Sequence, residues 1–293
     1  MTTAPERLLR RLEWKLGRRL DGRLQGAYRT VWRGAGIDFT DLRVYLPEDD
    51  VRHIDWNVTA RVDEPYVRLY TEDRELTCWL VIDRSASMRF GAHGKESVAA
   101  ELAIALGRLV SQGGNKVGAI LFDNDAQQVI PPRAGRDQIL RITRELTKPL
   151  NAKRGRTTDL SKMFALAAAT TIRRRSLIFA MSDFIGDPGW ERDLARLTHR
   201  HEVVVIRVVD PAELDLPDLG VILVEDAETG EQLLVDTSDP LLRSRLATQV
   251  GAREDAIALA MRTAGVAAHR IRTDQDLLAA LVTLVEQSGR GRR

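Results

Sequence analysis

At 293 residues the chain is long enough to bury a large core, as one big domain or two modest ones. Hydrophobic residues are 44% and charged residues 29%, the balance of a soluble globular protein; aromatics at 5% offer little stacking surface for nucleic acid. The lone cysteine, Cys78, excludes an internal disulfide and fits a cytoplasmic setting, and no stretch reaches the roughly 18–20 apolar residues of a membrane span. The net charge of +2 is uneven: residues 1–33 hold nine basic against three acidic residues, an excess of +6 that leaves −4 for the remainder.

In chain order, residues 5–25 read as a basic amphipathic helix, because Leu8, Leu12, Leu16, Leu20 and Leu24 recur every four residues among arginines. Such a segment is either a solvated helix face or an anionic-surface binder for membrane or nucleic acid. Glycines 34 and 36 follow, and residues 37–75 look irregular or β-like, with an alternating strand pattern over Tyr66–Tyr70. From Leu76 the texture changes to the nearly continuous apolar run Leu76–Ile82, the mark of a strand covered on both faces.

The periodicities then predict a helix near 95–112, a strand at 117–122, a short strand near 128–130 and a helix near 135–148. A helix near 159–173, a strand at 177–181, a helix at 190–198 and a strand at 203–209 come next. Residues 221–236 read as a hairpin around Thr229-Gly230, followed by a helix at 240–264, a strand at 266–271 and a last helix at 276–287. This order predicts an α/β fold with a doubly wound, mostly parallel sheet over residues 76–287. Residues 1–75 form an N-terminal basic helix plus a β-rich segment, and 288–293 a frayed tail.

In open α/β sheets ligands bind beyond the carboxyl ends of strands, so the residues leaving each apolar run carry the chemistry. The first run exits into Asp83-Arg84-Ser85-Ala86-Ser87 and a later one into Met181-Ser182-Asp183, while Thr157-Thr158-Asp159 precedes a helix. Asp83, Ser85, Ser87, Thr158 and Asp183 form an all-oxygen set, which suits a hard cation such as Mg²⁺ (or Mn²⁺ or Ca²⁺) and speaks against zinc. With mostly neutral ligands the ion keeps net positive charge and seeks one more anion, such as a partner protein's Asp or Glu carboxylate. Taken singly, each residue could equally be a helix cap or a loop carboxylate. Arg84 is a bulky cation beside this loop, suited to steering an acidic partner or weakening metal affinity. A phosphate-binding loop is absent, since Gly94-Lys95 is followed by Glu96 and Arg89 stands where the first glycine belongs. An aspartyl-phosphate enzyme would want a second acid where Ser85 stands.

The pattern Asp83-x-Ser85-x-Ser87, then Thr158 or its rival Thr157, then Asp183, resembles the metal-ion-dependent adhesion site of von Willebrand factor A domains. The resemblance implies that the serines and threonine contact the metal directly and the aspartates directly or through water. Upstream, Gly36–Tyr45, Pro47-Glu48-Asp49-Asp50-Val51-Arg52, Ile54-Asp55-Trp56 and Thr59-Ala60-Arg61 resemble the bacterial "domain of unknown function 58" family. Glu48 departs from that pattern, which usually has glycine there, so the turn is expected to differ. The resemblance implies an adaptor or co-chaperone, not an enzyme, acting with a MoxR-type AAA+ ATPase. Tyr45 and Trp56 are expected to anchor the upstream segment, with Asp41, Arg43, Arg52, Asp55 and Arg61 as a pinning charge network or a solvated face. A metal-dependent phosphohydrolase using the same rim is the competing reading.

Overall fold

The computed structural model describes residue 6 and residues 35–290, apart from 63, 74–75, 92–93, 124–126, 150–157, 172–174, 217 and 226–229. The helix expected at 5–25 therefore lies outside the described residues, Glu6 aside. Two compact units emerge, one within Trp32–Leu76 and the other containing Thr77–Arg293.

In the smaller unit β1 (Ala35–Val44) pairs antiparallel with β2 (Tyr66–Asp73), placing Val44 opposite Tyr66 and Arg43 opposite Val67. Between them the chain is organised by short side-chain caps. The amide of Asp49 closes a turn onto the Leu46 carbonyl at 2.9 Å. The Asp49 carboxylate accepts the Leu46 amide and takes the Arg43 guanidinium at 2.8 and 2.5 Å. Glu48 fits this turn without a left-handed backbone, because among the described residues Phe184 is the only non-glycine with positive φ. Asp50 caps a single 3₁₀ turn, Val51–His53. Asp55, buried, accepts the amides of Asn57 and Val58 at the start of α1 (Trp56–Val62).

Two of the upstream charges have local partners, and two face solvent. Arg43 pairs with Asp49 and Asp55 is a helix cap, while Arg52 and Arg61 are exposed and Asp41 lies in β1. Trp56 is no anchor: it is 69% exposed, because the first turn of a seven-residue helix turns it away from the sheet pair.

The larger unit is built on a six-stranded sheet. Its strands are β3 (Thr77–Asp83), β4 (Lys116–Phe122), β5 (Gln127–Arg133), β6 (Leu177–Ser182), β7 (Glu202–Val209) and, after the hairpin β8 (Val221–Glu225) and β9 (Gln232–Asp236), β10 (Ala268–Arg272). They lie in the order β10-β7-β6-β3-β4-β5, all parallel except β5. The exception has a simple cause. Only Asp123–Ala126 join β4 to β5, too few residues for a crossover, so the pair closes as an antiparallel hairpin.

Helices cover both faces. On one, α4 (Leu160–Thr171), α5 (Trp190–Arg200) and α6 (Pro240–Thr263) pack Met163, Phe164, Leu194 and Ile257 against Trp79, Val81, Ile178 and Ala180. Successive strand residues point to opposite faces, so Leu80 lies on the other side, near Ile139 of α3 (Arg136–Leu146) and Gly107 of α2 (Lys95–Gln112). Gly118 has no side chain because the Trp79 ring fills its place: a Cβ there would stand 2.8 Å from that ring. The last helix, α7, runs Leu277–Arg290, past the point where the tail was expected to fray.

Hairpin β8–β9 stands apart from the main sheet, and Val221, Leu223, Leu233 and Leu234 on it are exposed. Among the described residues no helix is long and apolar enough to cross a membrane.

Candidate functional site

Asp83, Asp183 and Asp210 leave the carboxyl ends of β3, β6 and β7, three neighbouring strands. Parallel alignment puts these ends on one rim, and each carboxylate is buried. The Asp83 carboxylate is the centre. Its Oδ1 accepts the Ser85 amide at 2.9 Å, and its Oδ2 accepts the Ser182 hydroxyl at 2.6 Å. Ser85 Oγ and Ser87 Oγ stand 3.1 Å apart. Burial, reinforced by the negative charge of Asp183, pushes Asp83 up to about 6, against the opposing hydrogen bonds from Ser182 and Ser85.

The turn after β6 is shaped to present Asp183. Phe184 takes φ 59°, a left-handed conformation uncommon for a non-glycine residue. Two contacts hold it there. Its amide donates to Ser182 Oγ at 2.9 Å, and its ring packs 5.3 Å from that of Trp190 and 6.3 Å from that of Phe164. Asp183 Oδ1 accepts the Ile185 amide at 2.9 Å, while the Arg207 Nε donates to the Asp183 carbonyl at 3.0 Å.

Thr158 is buried, and its main chain lies against Gly186, three residues past Asp183. A Cβ on Gly186 would stand 2.5 Å from the Thr158 carbonyl oxygen. Gly186→Ala is therefore expected to push the two loops apart and cost about 2 kcal/mol, as overpacking against backbone does. Urea unfolding checks this; a change under about 0.5 kcal/mol, the size of an ordinary surface substitution, would contradict it. Thr157 lies outside the described residues.

Four residues of this rim were not singled out in the sequence. Lys95, the first residue of α2, has no solvent exposure and donates to Asp183 Oδ2 at 2.6 Å and to Glu213 Oε1. Glu213 closes a capping box with Asp210, whose Oδ2 accepts the Thr273 hydroxyl at 2.7 Å. Burial raises Glu213 above the usual carboxylate range, against the lowering effect of the Lys95 ammonium. Ser182 completes the group. The signal available was Asp210-Pro211 directly after the strand over 203–209, a third strand exit like those of Asp83 and Asp183. Lys95 carried no such signal, since only folding brings α2 against the exits of β6 and β7.

Arg84 does not face a partner. Its side chain is buried and its guanidinium donates to the carbonyls of Glu145 at 3.1 Å and Lys148 at 2.7 Å, and to Glu96 Oε1 at 2.8 Å. The last carbonyls of α3 lack helical partners, and a cation there also answers the helix dipole; Arg84 is their cap.

Among the described residues no group of three or more His, Cys, Asp or Glu side chains is arranged to hold a metal ion. The oxygens that could hold a hard cation are two carboxylates, Asp83 and Asp183, with the hydroxyls of Ser85, Ser87 and Thr158.

The fold and rim define a doubly wound α/β protein with an oxygen-lined cluster at adjacent strand exits. Residues 41–256 match the family described as "Protein of unknown function DUF58", and the chain belongs to that family. It is 38% identical over 285 residues to the uncharacterized protein Rv1480 of Mycobacterium tuberculosis, covering 97% of this chain and 89% of that one. A protein of Mycobacterium avium, MAV169, is 34% identical over 162 residues, 55% of this chain and 95% of the other. Similar solved structures include the conserved hypothetical protein BatB from Bacteroides thetaiotaomicron, at 14% identity and TM-score 0.44 over 73% of this chain and 99% of that one. They also include the SpRpn10 VWA domain, at 15% identity and TM-score 0.41 over 72% of this chain and 94% of that one.

Proposed function

We propose that this chain is a metal-dependent protein-binding module, in which Asp83, Ser85, Ser87, Thr158 and Asp183 hold a divalent cation such as Mg²⁺. The observation that carries the reading is the burial of Asp83 and Asp183 close enough that the charge of one raises the pKa of the other. The Lys95 ammonium offsets the charge of Asp183, whereas Asp83 is buried without a cation among the described residues, a cost that a hard cation beside it would relieve. The donors are all oxygen, and two carboxylates with three neutral hydroxyls would leave a six-coordinate ion one open position for an acidic side chain of the partner. The partner class we infer is a MoxR-type AAA+ ATPase, with this chain as its adaptor or co-chaperone. When bound, the ion would supply a Lewis-acidic docking point. Asp83 and the serines would orient that point, and the turn at Phe184 would hold Asp183 beside it.

The test pairs Mn²⁺ binding, followed by electron paramagnetic resonance, with capture of a purified MoxR-type ATPase. The parent is expected to bind one Mn²⁺, and Ser85→Ala to bind it at least about tenfold more weakly, the loss of a single good ligand. ATPase retained with Mg²⁺ and released by chelator supports the docking role; equal retention in both sinks it.

A further inference from the structure

Lys95 is the strangest residue of the rim. An ammonium removed from water costs several kcal/mol unless it is paired and hydrogen-bonded. Its position also opposes the dipole of α2, since a cation at a helix N-terminus faces the positive end. What holds it there is the pair of carboxylates, Asp183 on the turn after β6 and Glu213 on the turn after β7, with the Phe90 ring 5.9 Å away. Asp183 Oδ2 is therefore taken by the ammonium, while Oδ1 already accepts the Ile185 amide. A second cation that uses Asp183 directly has to share it with Lys95 or displace the ammonium. Glu213 is already bonded to the same nitrogen and can receive it.

We infer that Lys95 is a tethered counter-cation that competes with the divalent ion for Asp183, and that Glu213 is the carboxylate to which it yields. This rests on the metal-binding reading above. Lys95 is then a positioning residue that sets metal affinity. Occupancy of the rim would be reported to the Pro211–Glu213 turn through the strength of the Lys95–Glu213 bond, and that turn is tied to β10 through Asp210 and Thr273.

The prediction has two opposite signs. Lys95→Met keeps the chain length and removes the competitor, so Mn²⁺ should bind roughly tenfold more tightly than in the parent. Glu213→Gln removes the alternative acceptor and commits the ammonium to Asp183, so Mn²⁺ should bind several-fold more weakly. Arg89→Gln removes the same unit of charge from an exposed position six residues before Lys95 and should leave affinity within about twofold, because exposed charges are screened.

Mn²⁺ affinity of all four proteins is read by electron paramagnetic resonance, and each fold is checked by circular dichroism. Should Lys95→Met not fold in chelator, its recovery by Mn²⁺ during refolding replaces the affinity, and the Glu213→Gln arm still stands. Unchanged or weaker binding by Lys95→Met, or unchanged binding by Glu213→Gln, overturns the competition while leaving the metal site intact. So does an Arg89→Gln effect as large as that of Lys95→Met. Mn²⁺ bound by Lys95→Met and not by the parent supports it in its strongest form. Mn²⁺ bound by none of the four overturns the metal-binding reading and this inference with it.

Discussion

In chelator at pH 7.5, Asp83→Asn is expected to be more stable than the parent by about 2 kcal/mol. The sign follows from the folded carboxyl sitting at about 6, above its ordinary value of 3.8. Between those two values the folded protein binds more protons than the unfolded chain, so stability falls as pH rises through that window. Above pH 6 the ionised carboxylate costs the metal-free fold about 3 kcal/mol; below pH 3.8 it costs nothing. Asparagine carries no charge to desolvate, though it leaves the Ser182 hydroxyl without its carboxylate acceptor, a loss of about 1 kcal/mol. Urea unfolding of both proteins from pH 3.5 to 7.5 checks this. The difference should open between pH 4 and 6. A variant less stable than the parent across the range would show that the Asp83 hydrogen bonds outweigh the cost of burying its charge.

Arg207→Met should destabilise by about 3 kcal/mol. Arg207 is buried in β7 and its fork grips Glu254 of α6 at 2.7 and 2.6 Å, while its Nε holds the Asp183 carbonyl. Glu254 sits below the usual carboxylate range, chiefly through the hydrogen bonds from Arg207. Removing the guanidinium strands a partly buried carboxylate and a main-chain acceptor, the circumstance in which breaking a pair is most costly. Glu254 keeps some exposure and a second cation, Arg270, at 3.6 Å, which places the loss at the lower end of the range for buried pairs. Thermal unfolding of Arg207→Met and of Arg207→Met/Glu254→Gln checks it. The double variant should recover part of the loss, because it no longer leaves a partly buried carboxylate without its two hydrogen bonds from Arg207. No recovery would assign the whole cost to the Asp183 carbonyl and to packing.

These two residues mark the limit of what the sequence discloses. Asp83 was legible because it ends an apolar run, and in a parallel sheet the end of a buried strand is where polar groups can gather. Asp183 was legible on the same ground, and so in outline was the sheet: the runs over 76–82, 177–181 and 203–209 became three adjacent parallel strands. Periodicity carries no sign of strand polarity, so the direction of β5 was written only in the shortness of its connection to β4. Trp56 looked like an anchor by its size, yet a residue's size says nothing of which way a short helix points it. Arg84 looked like a functional charge by its place next to Asp83, but neighbours along a strand exit point to opposite sides, and its guanidinium found the end of α3.

The sequence by itself determined the alternation of strands and helices, the order of the strand exits and the all-oxygen chemistry of Asp83, Ser85, Ser87, Thr158 and Asp183. These depend on residue type and local spacing, which the chain carries everywhere along its length. Only the tertiary structure decided that Lys95 lies between Asp183 and Glu213, residues 88 and 118 positions further along the chain. It likewise decided that Arg84 caps a helix and that Gly186 makes room for the main chain of Thr158. Such contacts join segments remote in sequence, and a buried ion pair leaves no periodic trace; it exists only once packing has excluded the water that each charge would otherwise keep.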